Sequence, residues 1–103
     1  MKYVLTWNER AQGSPIEYEN AQKRILEVFT QWEAPSSFKI EMFVIRVGDW
    51  GGYMLLETPD PAALHKLTTL LPAFTFKLEL VVDIDQAIAS EREIMDWRAN
   101  LDA

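Results

Sequence analysis

Four consecutive apolar residues, Met42, Phe43, Val44 and Ile45, lie inside the strand-like run Ile40 to Val47 and constrain this chain more than any other segment. Successive side chains of a strand point to opposite faces, so a strand with one face in water alternates apolar and polar residues. An unbroken apolar run asks for cover on both faces. Helices can supply one cover. A chain of 103 residues suits a single domain with one core, here residues 1–103. The second cover is therefore expected to be another copy of the protein.

The neighbouring residues show how that strand is used. Gly48 to Gly51 is a loop of hairpin length with two glycines available for positive φ, so Phe38–Val47 and Gly52–Thr58 should pair antiparallel. Upstream, Tyr3 to Trp7 reads as a short strand, with Tyr3, Leu5 and Trp7 on one side. Ser14-Pro15-Ile16-Glu17 combines a capping serine, a proline at the first helical position and a capping-box glutamate. The helix it opens carries Ala21, Ile25, Val28, Phe29 and Trp32 as a stripe and is expected to stop at Pro35. Asp60-Pro61 repeats the cap-plus-proline signal for a helix from Ala62 to Leu70 or Leu71, ended by Pro72. Phe74 to about Val82 alternates clearly, as a fourth strand. A last helix spans about Asp85 to Leu101, with Asp85 as cap and a stripe of Ile84, Ala87, Ile88, Ile94, Met95 and Leu101.

The resulting order, β-α-β-β-α-β plus a C-terminal helix, is an α+β, ferredoxin-like arrangement. Right-handed crossovers make it a four-stranded antiparallel sheet with the first and third strands central and both long helices on one face. The bare face must hold part of Met42–Ile45 together with Leu55 or Leu56 and Val81. Burying such side chains is worth ~1.5–3 kcal/mol each, which favours a homodimer. The competing arrangement is a ferredoxin-like monomer with an unusually apolar surface.

Charge narrows the partners. Sixteen acidic residues against ten basic give a net charge of −6 with no basic cluster, which disfavours nucleic acid and anionic membrane surfaces. The chain has no cysteine, which excludes disulfides, thiolate metal sites and thiol nucleophiles and suits a reducing cytoplasm. The first residues lack a signal peptide's apolar stretch, and no run approaches the ~20 apolar residues of a membrane span. A soluble cytoplasmic protein is expected.

Tyr3-Val4-Leu5-Thr6-Trp7, the strand Gly51 to Glu57 followed by Asp60-Pro61-Ala62-Ala63-Leu64, and the closing Leu80-Val81-Val82-Asp83-Ile84 resemble, in order and spacing, the dimeric α/β-barrel superfamily. Within it the chain is most similar to the short proteins of domain of unknown function 3303. The resemblance implies two sheets forming a barrel across a homodimer, and in each subunit a pocket between sheet and helices. Superfamily members include cofactor-independent monooxygenases, muconolactone isomerases, stress-response proteins and haem-degrading enzymes, so fold alone does not choose a reaction.

His65 is the only histidine. It can serve as a general base or a haem ligand, but not in a multi-histidine metal site. The haem-degrading relatives use a strand-end Asn, a Trp and a helix His, for which Asn8, Trp50 and His65 are the nearest equivalents, although Trp50 lies in the hairpin. Tyr3, Trp7, Trp50 and Tyr53 suit the wall of a flat apolar or aromatic ligand site, with Arg46 as a polar tip. Glu57, on a central strand, is the carboxylate best placed to act as a base. The candidate catalytic residues are thus His65, Asn8 and Glu57, and the candidate ligand residues are Tyr3, Trp7, Arg46, Trp50 and Tyr53, with no metal or cofactor required. Each has a plainer reading as a packed aromatic, a paired strand charge or an idle helix histidine. A small-molecule enzyme, either a monooxygenase or an isomerase, and a non-catalytic dimeric ligand-binding or scaffold module both remain open.

Overall fold

The computed structural model describes residues 1–101. It runs β1 (Lys2–Glu9), α1 (Pro15–Phe29), β2 (Lys39–Ile45), β3 (Gly51–Glu57), α2 (Pro61–Thr69), β4 (Phe74–Val81) and α3 (Ile84–Ala99). The strands form one antiparallel sheet in the order β2-β3-β1-β4. Strands β1 and β3 are central, as the crossover rule demands, and the fold is ferredoxin-like with an added C-terminal helix.

Register assigns every strand residue to a face. Leu5 stands opposite Met54 and Leu78, while Val4 stands opposite Leu55 and Glu79. The first set faces the helices and the second faces away. Leu5, Trp7, Ile25, Met54, Leu56, Leu64, Leu67, Leu71 and Phe74 make the buried core, so α1 and α2 cover the same face. In the doubly apolar strand, Phe43 pairs with Met54 and Ile45 with Gly52 on the helix side, whereas Val44 pairs with Tyr53 and Met42 with Leu55 on the open side. A bulge between Ile40 and Met42 sets this alternation, leaving Glu41 as the extra residue. The open face therefore presents Met42, Val44, Leu55 and Val81, and Leu56 belongs to the core.

Local chemistry accounts for the ends of the helices. Ser14 Oγ accepts from Glu17 N–H at 3.3 Å, and the Glu17 carboxylate accepts from Gly13 N–H, one residue before the expected capping-box donor. Asp60 Oδ1 accepts from the N–H groups of Ala62 and Ala63 at 3.1 and 3.2 Å. Two expectations need correction. Helix α1 ends at Phe29, well before Pro35: Thr30 N–H still makes the helical bond to the Leu26 carbonyl, but Gln31 N–H bonds the Val28 carbonyl only three residues back, while Thr30 Oγ1 donates to the Glu27 carbonyl. Asp83, not Asp85, occupies the cap position of α3, and its carboxylate bonds Lys2 Nζ at 2.7 Å instead of capping the helix. That bond ties the start of α3 to β1 and holds the Lys2 ammonium above its ordinary pKa.

Beyond this tie α3 stands off the body. None of its residues is buried, and the molecule measures 69 × 30 × 22 Å. The radius of gyration is 18.9 Å, against ~13 Å for a compact chain of this size. Among the described residues no helix is long and apolar enough to cross a membrane.

The hairpin contains the one positive-φ residue among those described, Gly48 at 97°. Gly52 is required for a different reason, close approach. A Cβ there would meet the Val44 carbonyl and would stand 3.0 Å from the Trp7 ring. Gly52→Ala should cost roughly 1–3 kcal/mol as an overpacked site. This would lower the thermal midpoint by about 5–20 °C, readable by circular dichroism, whereas an unchanged midpoint would refute the close packing.

Candidate functional site

The sheet and helices divide the candidate residues into two groups. On the helix side, Tyr3, Pro61, Leu64, His65, Thr68 and Leu78 line a shallow depression of about 280 Å³ between α2 and the β1–β4 edge. Its wall is apolar. Three of its lining residues, Tyr3, His65 and Thr68, carry polar side-chain groups, of which the Thr68 hydroxyl donates to the His65 carbonyl at 2.9 Å. Among the described residues the Tyr3 hydroxyl has only the Met1 sulfur as a partner, at 3.5 Å, a weak acceptor that a ligand oxygen could replace. Leu78 and Leu80, on the helix face of edge strand β4, are 40% and 59% exposed. They extend the apolar surface because α2 reaches no further across the sheet.

The space directly beneath both helices is closed. Leu5, Trp7, Phe29, Phe43, Met54, Leu67 and Phe76 surround about 10 Å³ of free volume, at the lower limit for one water molecule. Trp7 is 3% exposed, with its ring edge-on to Phe43 at 5.5 Å. Its indole packs the core of this protomer and forms no wall of an open site. Trp50 also leans on the core, while its carbonyl accepts from Glu9 N–H at 3.1 Å.

The second group lies at the hairpin end of the sheet. Arg46 Nη2 donates to Asn8 Oδ1 at 2.6 Å and to the Trp7 carbonyl at 3.1 Å, and its Nε donates to Asp49 Oδ1 and Oδ2 at 3.0 and 3.2 Å. The guanidinium carbon also stands 5.5 Å from the centre of the Tyr53 ring. Asp49 first, and Tyr53 second, hold the arginine above its ordinary pKa. With its Nε and Nη2 donors directed to protein acceptors, this cluster reads as a polar clasp joining β1, β3 and the hairpin.

Glu57 lies at the far end of β3, opposite Lys2 and Lys39, and pairs with Lys39 Nζ at 3.8 Å. From the Asn8–Gly51 pair to the Lys2–Glu57 pair is six strand steps, or ~20 Å. His65 sits on the helix layer. Within one protomer, then, His65, Asn8 and Glu57 are not brought to a common point, whereas His65 and Tyr3 are. Among the described residues no cluster of histidine and carboxylates could hold a metal ion.

This sequence matches, over residues 1–94, the family described as Domain of unknown function, DUF3303. The chain belongs to the DUF3303 family. The matched segment contains all four strands, α1 and α2, and most of α3. No curated protein matches the chain. In this DUF3303 protein, sequence reasoning did not single out Thr68 or Asp49. Their signals were three-residue spacings, from His65 to Thr68 along a helix and from Arg46 to Asp49 around the turn.

Proposed function

We propose that this DUF3303 protein works as a homodimeric module, joined through its open sheet face, that binds a small apolar or aromatic ligand in the depression beside α2. The observation that carries the ligand reading is that Tyr3, His65 and Thr68 line one depression together with the apolar Leu64 and Leu78. A few placed polar groups on an apolar lining are the usual composition of a ligand site. The filled space under the helices supports a binding site at this edge over one in the interior. For the dimer, the support is an open face with Met42, Val44 and Tyr53 39–44% exposed. The ion pairs Lys2–Glu41, Lys39–Glu57 and Lys77–Glu79 frame that face. An apolar centre with a charged rim is the anatomy of a protein interface.

A second reading, a cofactor-independent monooxygenase or isomerase, is favoured by one specific observation: the chain's only histidine lines the same depression. An imidazole there could remove a proton from an activated carbon acid.

Thermal unfolding against a panel of aromatic and isoprenoid acids tests both readings. A compound present at a hundred times its Kd stabilises the fold by about 2.7 kcal/mol, a rise of roughly 10–20 °C for a domain of this size. Leu78→Glu should abolish that rise while leaving the unliganded midpoint unchanged, since Leu78 is 40% exposed. His65→Ala separates the readings. A binding module keeps much of the rise and shows no turnover of the bound compound, whereas an enzyme loses about 10²–10⁴-fold in rate. A panel with no stabilising compound would remove the ligand site.

A further inference from the structure

Among the described residues, helix α3 buries no side chain and is tied to its own protomer by the Lys2–Asp83 contact at its start, and its charge pattern specifies a partner. On a helical wheel, Ile84, Ala87, Ile88, Ile94 and Met95 of α3 fall on one face, and Leu101, in the turn that follows the cap Asn100, continues the same spacing. Ile84, Ile94, Met95 and Leu101 are each more than half exposed, and Ile88 is 38% exposed. Two opposite charges, Glu91 and Arg98, lie in the middle of this apolar face. They stand seven residues apart, ~10 Å along the axis, too far to pair with each other in one helix. Among the described residues neither belongs to an ion pair.

We propose that α3 is a self-recognition helix that packs antiparallel against the α3 of a second copy, about a two-fold axis passing between Ile94 and Met95. In that arrangement Glu91 of each helix meets Arg98 of the other, and Ile88 meets Leu101, since both pairs are symmetric about the same midpoint. A parallel pairing would place Glu91 against Glu91 and Arg98 against Arg98 inside an apolar seam, which repels. The charges thus specify direction and register, and the apolar residues supply the contact. The contact uses none of the residues of the open sheet face and stands independently of the proposed sheet-face dimer. It also accounts for a helix that extends away from a body to which it contributes no buried side chain.

The absence of native cysteine makes cross-linking a clean test. The full-length double variant Ile88→Cys/Leu101→Cys, treated with a short bis-maleimide, should give covalent dimers. Either single variant should give few, because an antiparallel pair places two copies of residue 88 ~20 Å apart. Ile88→Cys alone linking as well as the double variant would mean parallel packing and overturn the proposal, as would no linking at all. In the double-cysteine background, Glu91→Arg should lower the yield roughly tenfold by setting arginine against arginine twice per pair. Adding Arg98→Glu should restore it. Equal yields across these charge variants would overturn the assigned register. Repeating the reaction with Val44→Glu, which disrupts the sheet face and not α3, distinguishes failure of the helix pairing from failure of the sheet-face dimer.

Discussion

Val44→Glu should leave the protomer folded and remove its stable association with a second copy. Val44 is 44% exposed in the protomer and faces away from the helices, paired with Tyr53, so a carboxylate there remains in water while the chain is alone. Face-to-face packing would bury that carboxylate with no cation of its own, and two-fold symmetry would do so twice. Burying an unpaired charge costs about 3–5 kcal/mol, which is at least a hundredfold in dimer affinity. Sedimentation velocity over a concentration series should show the parent chain as a dimer and the variant as a monomer at micromolar concentration, both with the same circular dichroism spectrum. Glu91→Arg, carried by both the parent and the variant in this measurement, keeps the proposed α3 contact from holding either together. A parent chain that is monomeric throughout, or a variant that dimerises as well as the parent, would remove the sheet face as an interface.

Leu56→Ala should have the largest effect on stability. Leu56 is fully buried on central strand β3, flanked by Tyr3 on β1 and Ile40 on β2. Its neighbours belong to a sheet held from both sides and cannot collapse readily into the space left. Such truncations cost about 2–5 kcal/mol, a large share of the ~5–15 kcal/mol that typically holds a domain together, and should lower the thermal midpoint by at least ~10 °C. Leu55→Ala, one residue earlier, is the informative contrast. Leu55 points to the open face, so its loss should barely change the unfolding of the protomer and should weaken self-association. If the two variants lose stability equally, the assignment of faces is wrong.

That contrast also shows how much was legible in the sequence. The element order and the central strands followed from local signals, chiefly Ser14-Pro15 and Asp60-Pro61 at helix starts and the alternation of Phe74 to Val82. These depend on a few adjacent residues and were read correctly. The end of α1 was not, because a proline marks only where a helix cannot continue, while the backbone leaves the α pattern earlier, where Gln31 N–H bonds the Val28 carbonyl three residues back. The cap of α3 was misplaced because Asp83 is held by Lys2, which is 81 residues away in sequence and invisible to local reading. The candidate site was legible only as a set of residue types. Tyr3 and His65 do share a depression, but Tyr53 and Arg46 were grouped with them and lie on the opposite face. That separation depends on the pairing register, which no single strand carries in its own sequence.

Register in β2 depends in turn on the bulge at Glu41. Because Met42 to Ile45 are apolar on both sides, side-chain polarity barely distinguishes this strand from the same strand turned over. The extra residue makes the choice. Deleting Glu41 would do more than remove a charge: it would remove the bulge and make Ile40 and Met42 consecutive partners of Leu56 and Leu55, with Met42 and Val44 still outward and Phe43 and Ile45 still under the helices. Regularising the strand with Glu41 retained is what would turn Met42 and Val44 under the helices and exchange the linings of core and contact surface. Substitutions along this strand can therefore be graded by size and polarity, but the presence or absence of the bulge acts as a switch between two molecular surfaces.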